Sequence, residues 1–373
     1  MARTEQLLDI YIDANILMLI AFCLWSIARL IMARMGYRTA FAVQLTLLKG
    51  VLAGLLLSPV AIVMLSLLVS LGVVAANHGM TFTDYVVAQY LNGSIEMSAL
   101  KFEQMMGLRD SVTSSVLSPS GWLGQGILIL ALTGAGVSLI RLGGSAFYLW
   151  RAVSGSFHLK RYGPLEIRVS ERIVVPFSTR GLRRRYIVLP YAMLTSPNDL
   201  RMVTAHEIQH IRQRDIEWEF GLELIKPLFF WNPAFILVKR QIERLRELAC
   251  DQRVLSRDMF DARAYGDCLL RVCEASLQRR QEARLSVAFA GLVPRYWQSD
   301  KASFLRQRMT LLFEPSRVNA RLVPVILAPI AGVMALTVIA LQSPGDWSHD
   351  RLMLSTIINL ERLEAHNTLA RRP

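Results

Sequence analysis

Long uncharged apolar runs set the hydropathy pattern of this chain. Val51–Ala76 and Leu322–Leu341 contain no Asp, Glu, Lys, Arg or His; Trp122–Ile140 is a third such run, closed by Arg141, and Ala14–Ala28 is a fourth, bracketed by Asp13 and Arg29. A helix needs roughly 20 apolar residues to cross a bilayer core. The fourth run reaches that length when its flanking charges extend to the headgroups. The pattern therefore predicts four spans, at about 11–32, 51–76, 122–141 and 322–341. A signal peptide is the competing reading of the first run, but only Arg3 precedes it, Glu5, Asp9 and Asp13 lie nearby, and no small-residue cleavage site ends it.

Between the third and fourth spans the period changes. Leu165–Ser170, Arg172–Val175 and Arg185–Leu189 alternate or run apolar like strands, predicting a small sheet of about three. Thr195-Ser-Pro-Asn-Asp199 supplies turn and N-cap chemistry for a helix from Ser196 or Pro197 to near Asp215. Gly221–Val238 is apolar but broken by Glu223, Lys226, Pro227 and Asn232-Pro233, which suggests a bent segment at the bilayer with Asn232 capping a new helix through Asp251. Another helix is expected at 262–285, and a basic, irregular approach to the last span at 294–320. The organisation expected is a membrane domain, 1–150, holding three spans and an outer segment, 77–120; a domain at 151–321; a fourth span, 322–341; and an outer tail, 342–373. The fold class is membrane α-helical with an α+β domain between spans three and four.

Composition agrees: 53% of the 373 residues are hydrophobic and 19% charged, too apolar for an ordinary soluble domain of this length. Residues 151–321 hold 30 of the 42 Lys and Arg and 18 of the 29 Asp and Glu, so they carry nearly all of the net charge of +13. The short 33–50 connection carries Arg34, Arg38 and Lys49, whereas 77–120 carries only Lys101 and Arg109 against four acids. The positive-inside rule then puts 33–50 and 151–321 in the cytoplasm. A basic surface beside a membrane faces anionic lipid, and with no helix-turn-helix or interleaved aromatic and basic motif, direct nucleic-acid binding is not expected. Cys23, Cys250, Cys268 and Cys273 have no metal-ligand spacing among themselves and read as free thiols in a reducing compartment.

Candidate chemistry lies in His206-Glu-Ile-Gln-His210 and Glu247-Leu-Ala-Cys-Asp251. Histidines four apart share one helix face and can grip one metal ion, and Glu207 between them can activate a water. Glu247 can be the third ligand, with Asp251 one turn on to hydrogen-bond the far nitrogen of a ligand histidine. Three protein ligands leave a position open, as a catalytic zinc site requires. Glu243 is the rival acid on the same helix, but it lacks an aspartate four residues downstream. His158 is the other cytoplasmic imidazole, set beside Lys160 and Arg161 where an interfacial role is expected.

HEIQHIRQRD at 206–215, WNPAFILVKRQIERLRELACD at 231–251 and VSERIVVPF at 169–177 resemble the BlaR/MecR-type membrane metallopeptidases, the antirepressor sensor-transducers. The resemblance extends to the four-span arrangement and covers about residues 1–342. It implies a gluzincin fold in a bacterial cytoplasmic membrane, zinc at His206, His210 and Glu247, and Glu207 as catalytic acid/base. It also implies cleavage of the protein itself and of a cytoplasmic DNA-binding repressor. The beta-lactam sensors of that family carry a penicillin-binding domain after the last span; only 342–373 follow here, so beta-lactam sensing is not expected.

The function expected is hydrolysis of peptide bonds in a cytoplasmic or membrane regulatory protein, the bilayer and a second copy of the chain being further candidate partners. A substrate would add as an extended strand beside Ile173, Val174, Val175, Pro176 and Phe177, although Pro176 limits pairing there. Two other readings stand beside it. One is a quality-control protease resembling the HtpX and CAAX-processing zincins; the other is a non-catalytic zinc-stabilised adaptor, disfavoured because Glu207 would have no structural need.

Overall fold

The computed structural model describes residues 2–70, 122–181, 183–286 and 295–314, with a few isolated positions such as Tyr90, Ser98, 101–102, 328–329, 332 and 356. The expected outer segment 77–120, fourth span 322–341 and tail 342–373 lie essentially outside the described residues.

Helix α1 (Ala2–Arg34) buries Leu17, Met18, Ala21, Trp25, Ala28 and Met32 along one stripe, while Leu19, Ile27, Leu30 and Ile31 stay exposed on the other side. A helix apolar all round suits lipid rather than water. Its Ala14–Arg34 portion has 21 residues and Gly124–Ser154 of α3 (Trp122–Ser154) has 31; both are long and apolar enough to cross a membrane. Helix α2 (Phe41–Ser70) contains a shorter described apolar stretch, Phe41–Leu57. Helix α1 takes in the first expected span; the second, expected at 51–76, overlaps α2 as far as Ser70, the rest lying outside the described residues; and α3 runs past the expected end at 141 to Ser154 without a break.

The chain divides into two compact units. One contains Met1–Trp25, Gly50–Thr133 and Pro324–Pro373; the other contains Ser26–Lys49 and Gly134–Val323. The second unit thus takes in the short connection between α1 and α2.

Its sheet has four strands rather than the three expected: β1 (Phe157–Tyr162), β2 (Leu165–Ser170), β3 (Phe177–Arg180) and β4 (Arg185–Pro190), in the order β1-β2-β4-β3. β1–β2 and β3–β4 are antiparallel and β2–β4 parallel. Gly163, at φ +57°, makes the tight β1–β2 turn that a side chain would strain. The strand expected at Arg172–Val175 does not form; pairing begins at Phe177, just after Pro176, which has no amide hydrogen for a ladder. β1 was missed because its positions are exposed throughout and carry no alternation.

Helix α4 (Pro197–Arg212) begins where the proline and the first-turn acid Asp199 direct it, and ends a little before the expected Asp215. It buries Met202, Val203, His206, Glu207, His210 and Ile211, a face of helical period. Helix α5 (Asp215–Phe229) follows Arg214, a non-glycine residue at φ 55°. Helix α6 (Pro233–Leu255) starts as expected: Asn232 Oδ1 accepts from the amides of Ala234 and Phe235. Helix α7 (Ala262–Ser286) matches the expected 262–285, whereas Arg295–Leu311, expected to be irregular, is helix α8. The core joins Ile167, Ile187 and Leu189 of the sheet to Met202, Val203, Ile211, Cys250, Val254, Tyr265 and Cys268 of the helices.

Glu217 of α5 takes Arg185 NH2 at 2.9 Å and Arg180 NH1 at 3.3 Å, tying the β3–β4 pair to that helix. Burial opposes its charge, but its own backbone amide and the two guanidiniums outweigh that and hold the carboxyl below the usual glutamate range. A lowered folded-state value gives stability that is present above the ordinary pKa of about 4 and lost as pH falls through the folded value. Glu217→Gln is expected to cost about 0.5–1 kcal/mol near neutral pH. The difference in melting temperature from the unaltered protein should shrink as the buffer is taken below about pH 4.

Candidate metal centre

Helices α4 and α6 cross so that His206, His210 and Glu247 face one another. The two Nε2 atoms are 3.1 Å apart; Glu247 Oε2 is 3.6 Å from His206 Nε2 and its Oε1 is 3.7 Å from His210 Nε2. Four tetrahedral ligands about 2.0–2.1 Å from zinc would be separated by about 3.3–3.4 Å, so the spacing fits a shared ion. Two imidazole lone pairs and a carboxylate so close repel unless something positive lies among them. Burial opposes charge on both histidines, yet Glu247 and Asp251 outweigh it at His206, and Cys250, Asp215 and Glu247 raise His210 to about 10. Burial likewise opposes the Glu247 charge, but Arg308 and the two imidazoles hold it well below the usual range. The donor set calls for a cation, which is the property of a metal site.

The outer nitrogens are held. His206 Nδ1 lies 2.7 Å from Tyr265 Oη and 3.4 Å from Asp251 Oδ1, and Tyr265 donates its hydroxyl to Asp251 at 2.8 Å. His210 Nδ1 lies 2.9 Å from Asp215 Oδ2. Partners on both Nδ1 atoms leave both Nε2 atoms to face the centre, as a metal requires.

His206, His210 and Cys250 also offer ligand atoms within 4.8 Å of one another. Cys250 Sγ, however, sits 3.5 Å from His206 Nδ1, the nitrogen already engaged, and donates to the His206 carbonyl at 3.4 Å. Burial pushes that thiol up to about 12, so it favours the protonated form. Glu247 is the better third donor. Glu243, the rival, is 41% exposed at its side chain and pairs with Lys239 at 2.8 Å. His158 is exposed on β1.

Sequence reasoning missed Tyr265 and Arg308. Arg308 of α8 donates to both Asp251 oxygens, at 2.7 and 2.8 Å, and approaches Glu247 Oε2 at 3.2 Å. Neither residue belongs to a motif, and both come from helices remote in sequence, so no spacing in the chain points to them.

The centre opens on a cavity of about 640 Å³ lined by Glu207, by Leu142, Tyr148 and Leu149 of α3, by Ile216 and Phe220 of α5, and by Val175, Pro176 and Phe177. Ile173 and Val174, also expected at the substrate site, are half-buried outside that lining.

An α+β unit with a histidine–carboxylate centre at a cavity, joined to helices long enough to cross a bilayer, defines a membrane metallopeptidase. The chain belongs to the BlaR1 peptidase M56 family, whose model matches residues 6–292. It is 26% identical over 132 residues to the regulatory protein BlaR1 of Bacillus licheniformis, which is 33% of this chain and 22% of that protein. The methicillin resistance mecR1 proteins of Staphylococcus aureus and Staphylococcus epidermidis are 28% identical over 94 residues, 24% of this chain and 16% of theirs. The chain thus matches less than a quarter of the length of these relatives.

Arg308 supplies the test of the electrostatics. Removing one partner from a buried charge cluster leaves the others uncompensated, at a cost of about 3–5 kcal/mol. Arg308→Met is expected to lower the melting temperature of the metal-free protein markedly, and that of the zinc-loaded protein less, because zinc restores positive charge beside Glu247.

Proposed function

We propose that the chain is an integral-membrane zinc endopeptidase acting on a cytoplasmic or membrane regulatory protein in signal transduction. The observation that carries this reading is the convergence of two histidine Nε2 atoms and the Glu247 carboxylate at a cavity that Glu207 also lines. His206, His210 and Glu247 are the proposed ligands, with Asp251 as the outer partner of His206. Zinc held there would supply an acidified water and polarise the scissile carbonyl.

Glu207 is the proposed catalytic residue: its carboxylate takes the proton as water attacks and returns it to the leaving amine. β3 is an edge of the sheet, and Val175–Phe177 leads into it along the cavity wall. An extended substrate added there would present its backbone to the edge and its apolar side chains to Leu142, Leu149 and Phe220. A DNA-binding repressor, and the chain itself, are the proposed substrates, which the resemblance to the antirepressor sensor-transducers implies. The peptidase domain is proposed to face the cytoplasm, consistent with the basic 33–50 connection.

Glu207→Gln is expected to retain one zinc per chain and to lose about 10²–10⁴-fold in peptide hydrolysis, read from metal content and cleavage rate on the same preparation. Glu247→Ala and His206→Ala should lose the metal, whereas Glu243→Ala and Cys250→Ala should keep it. Full activity in Glu207→Gln would reject the assigned chemistry, and zinc loss in Cys250→Ala alone would replace Glu247 as ligand.

A further inference from the structure

Asp215 is 2% exposed and uses both carboxylate oxygens: Oδ2 meets His210 Nδ1 at 2.9 Å, and Oδ1 accepts from Lys49 Nζ at 2.8 Å. Lys49 comes from α2, far from the peptidase motifs in sequence, and is itself buried, with its ammonium 5.7 Å from the centre of the Trp218 ring. The left-handed backbone at Arg214 turns the chain between α4 and α5 so that Asp215 stands between these two partners. The end of α1 and the connection that brings Lys49 here are each anchored on α6. Gln252 Nε2 donates to the Thr39 carbonyl at 2.8 Å, and Arg29 to Gln241 Oε1 at 3.4 Å.

A buried aspartate with one neutral imidazole as its sole partner would bear an uncompensated charge and would be free to tilt the ring. We propose that Lys49 is a positioning residue of the metal centre: it fixes the charge and orientation of Asp215, which in turn aims His210 Nε2 at the ion. The start of α2 is then a working part of the site, and a displacement of Lys49 would reach the metal through two hydrogen bonds. This rests on the zinc peptidase reading, since His210 must be a ligand for Lys49 to act through it.

Zinc affinity of the full-length protein in detergent, measured by competition with a chromogenic chelator, tests the idea, with the metal-free melting temperature read beside it. Loss of an outer partner of a ligand histidine typically weakens metal binding about 10–100-fold. Lys49→Met is expected to weaken zinc binding by that amount and Lys49→Arg to restore most of it. In an Asp215→Asn background Lys49→Met should cause no further loss of affinity, because the route runs through the aspartate. That double variant removes both buried charges, so it serves where Lys49→Met alone fails to fold. Unchanged zinc affinity in Lys49→Met with only a lowered melting temperature, or a further tenfold loss in the double variant, would overturn the proposal. If the unaltered protein binds no zinc, both the proposal and the zinc peptidase reading fall; if it binds and cleaves but Lys49→Met matches it, only the proposal does.

Discussion

Everything about the peptidase unit depends on one electrostatic demand, the approach of two imidazole Nε2 atoms and a carboxylate to within 3.1–3.7 Å of one another in a buried place. Such a cluster is unstable unless a cation occupies its middle or protons do. The four elements around it meet that demand from outside. Tyr265 of α7 and Asp251 of α6 hold one ring, Asp215 at the start of α5 holds the other, and Arg308 of α8 balances the carboxylates. The helices therefore do more than bury apolar surface: each delivers one polar side chain whose absence would leave another without a partner.

The charges are also stacked in order. Outside Asp251 and Glu247 stands Arg308, shared by the two, and outside Asp215 stands Lys49, so every inner anion has a buried cation beside it. Farther along the same helix pair, Lys239 joins Glu219, Glu223 and Glu243, and Arg246 joins Glu219 and Glu247. That outer network explains why Glu243 is unavailable to a metal although it lies one turn from Glu247. The lysine that claims it sits four residues earlier on the same helix, a spacing that favours a local pair over a distant ligand.

What could be read in the sequence was whatever is local and periodic. The α4 and α6 starts were legible because Pro197, Asp199 and Asn232-Pro233 act on their own helix ends, and the histidine pair because four residues return to one face. Edges of the sheet were not. Pro176 moved the strand forward to Phe177, and β1 carries His158, Lys160 and Arg161 on exposed positions that give no alternation to find. Arg308 fell within a stretch whose basic residues suggested irregular chain, yet it is among the more buried cations near the centre, at 12% side-chain exposure. A long-range ion pair leaves no spacing in sequence, so Tyr265, Arg308 and Lys49 needed three dimensions.

The same geometry explains why metal loading and protonation must compete. Without a metal, burial opposes charge on the histidines, while Glu247 and Asp251 draw His206, and Cys250, Asp215 and Glu247 draw His210, toward the charged form. A metal held there would have to displace that charge, since a ligand imidazole has to be neutral. Arg308 bears on the balance from the other side, because its guanidinium lies 3.2 Å from Glu247 and draws on the same oxygen that would face the ion. The arginine thus keeps the carboxylate ionised and ready while weakening its hold on any second cation.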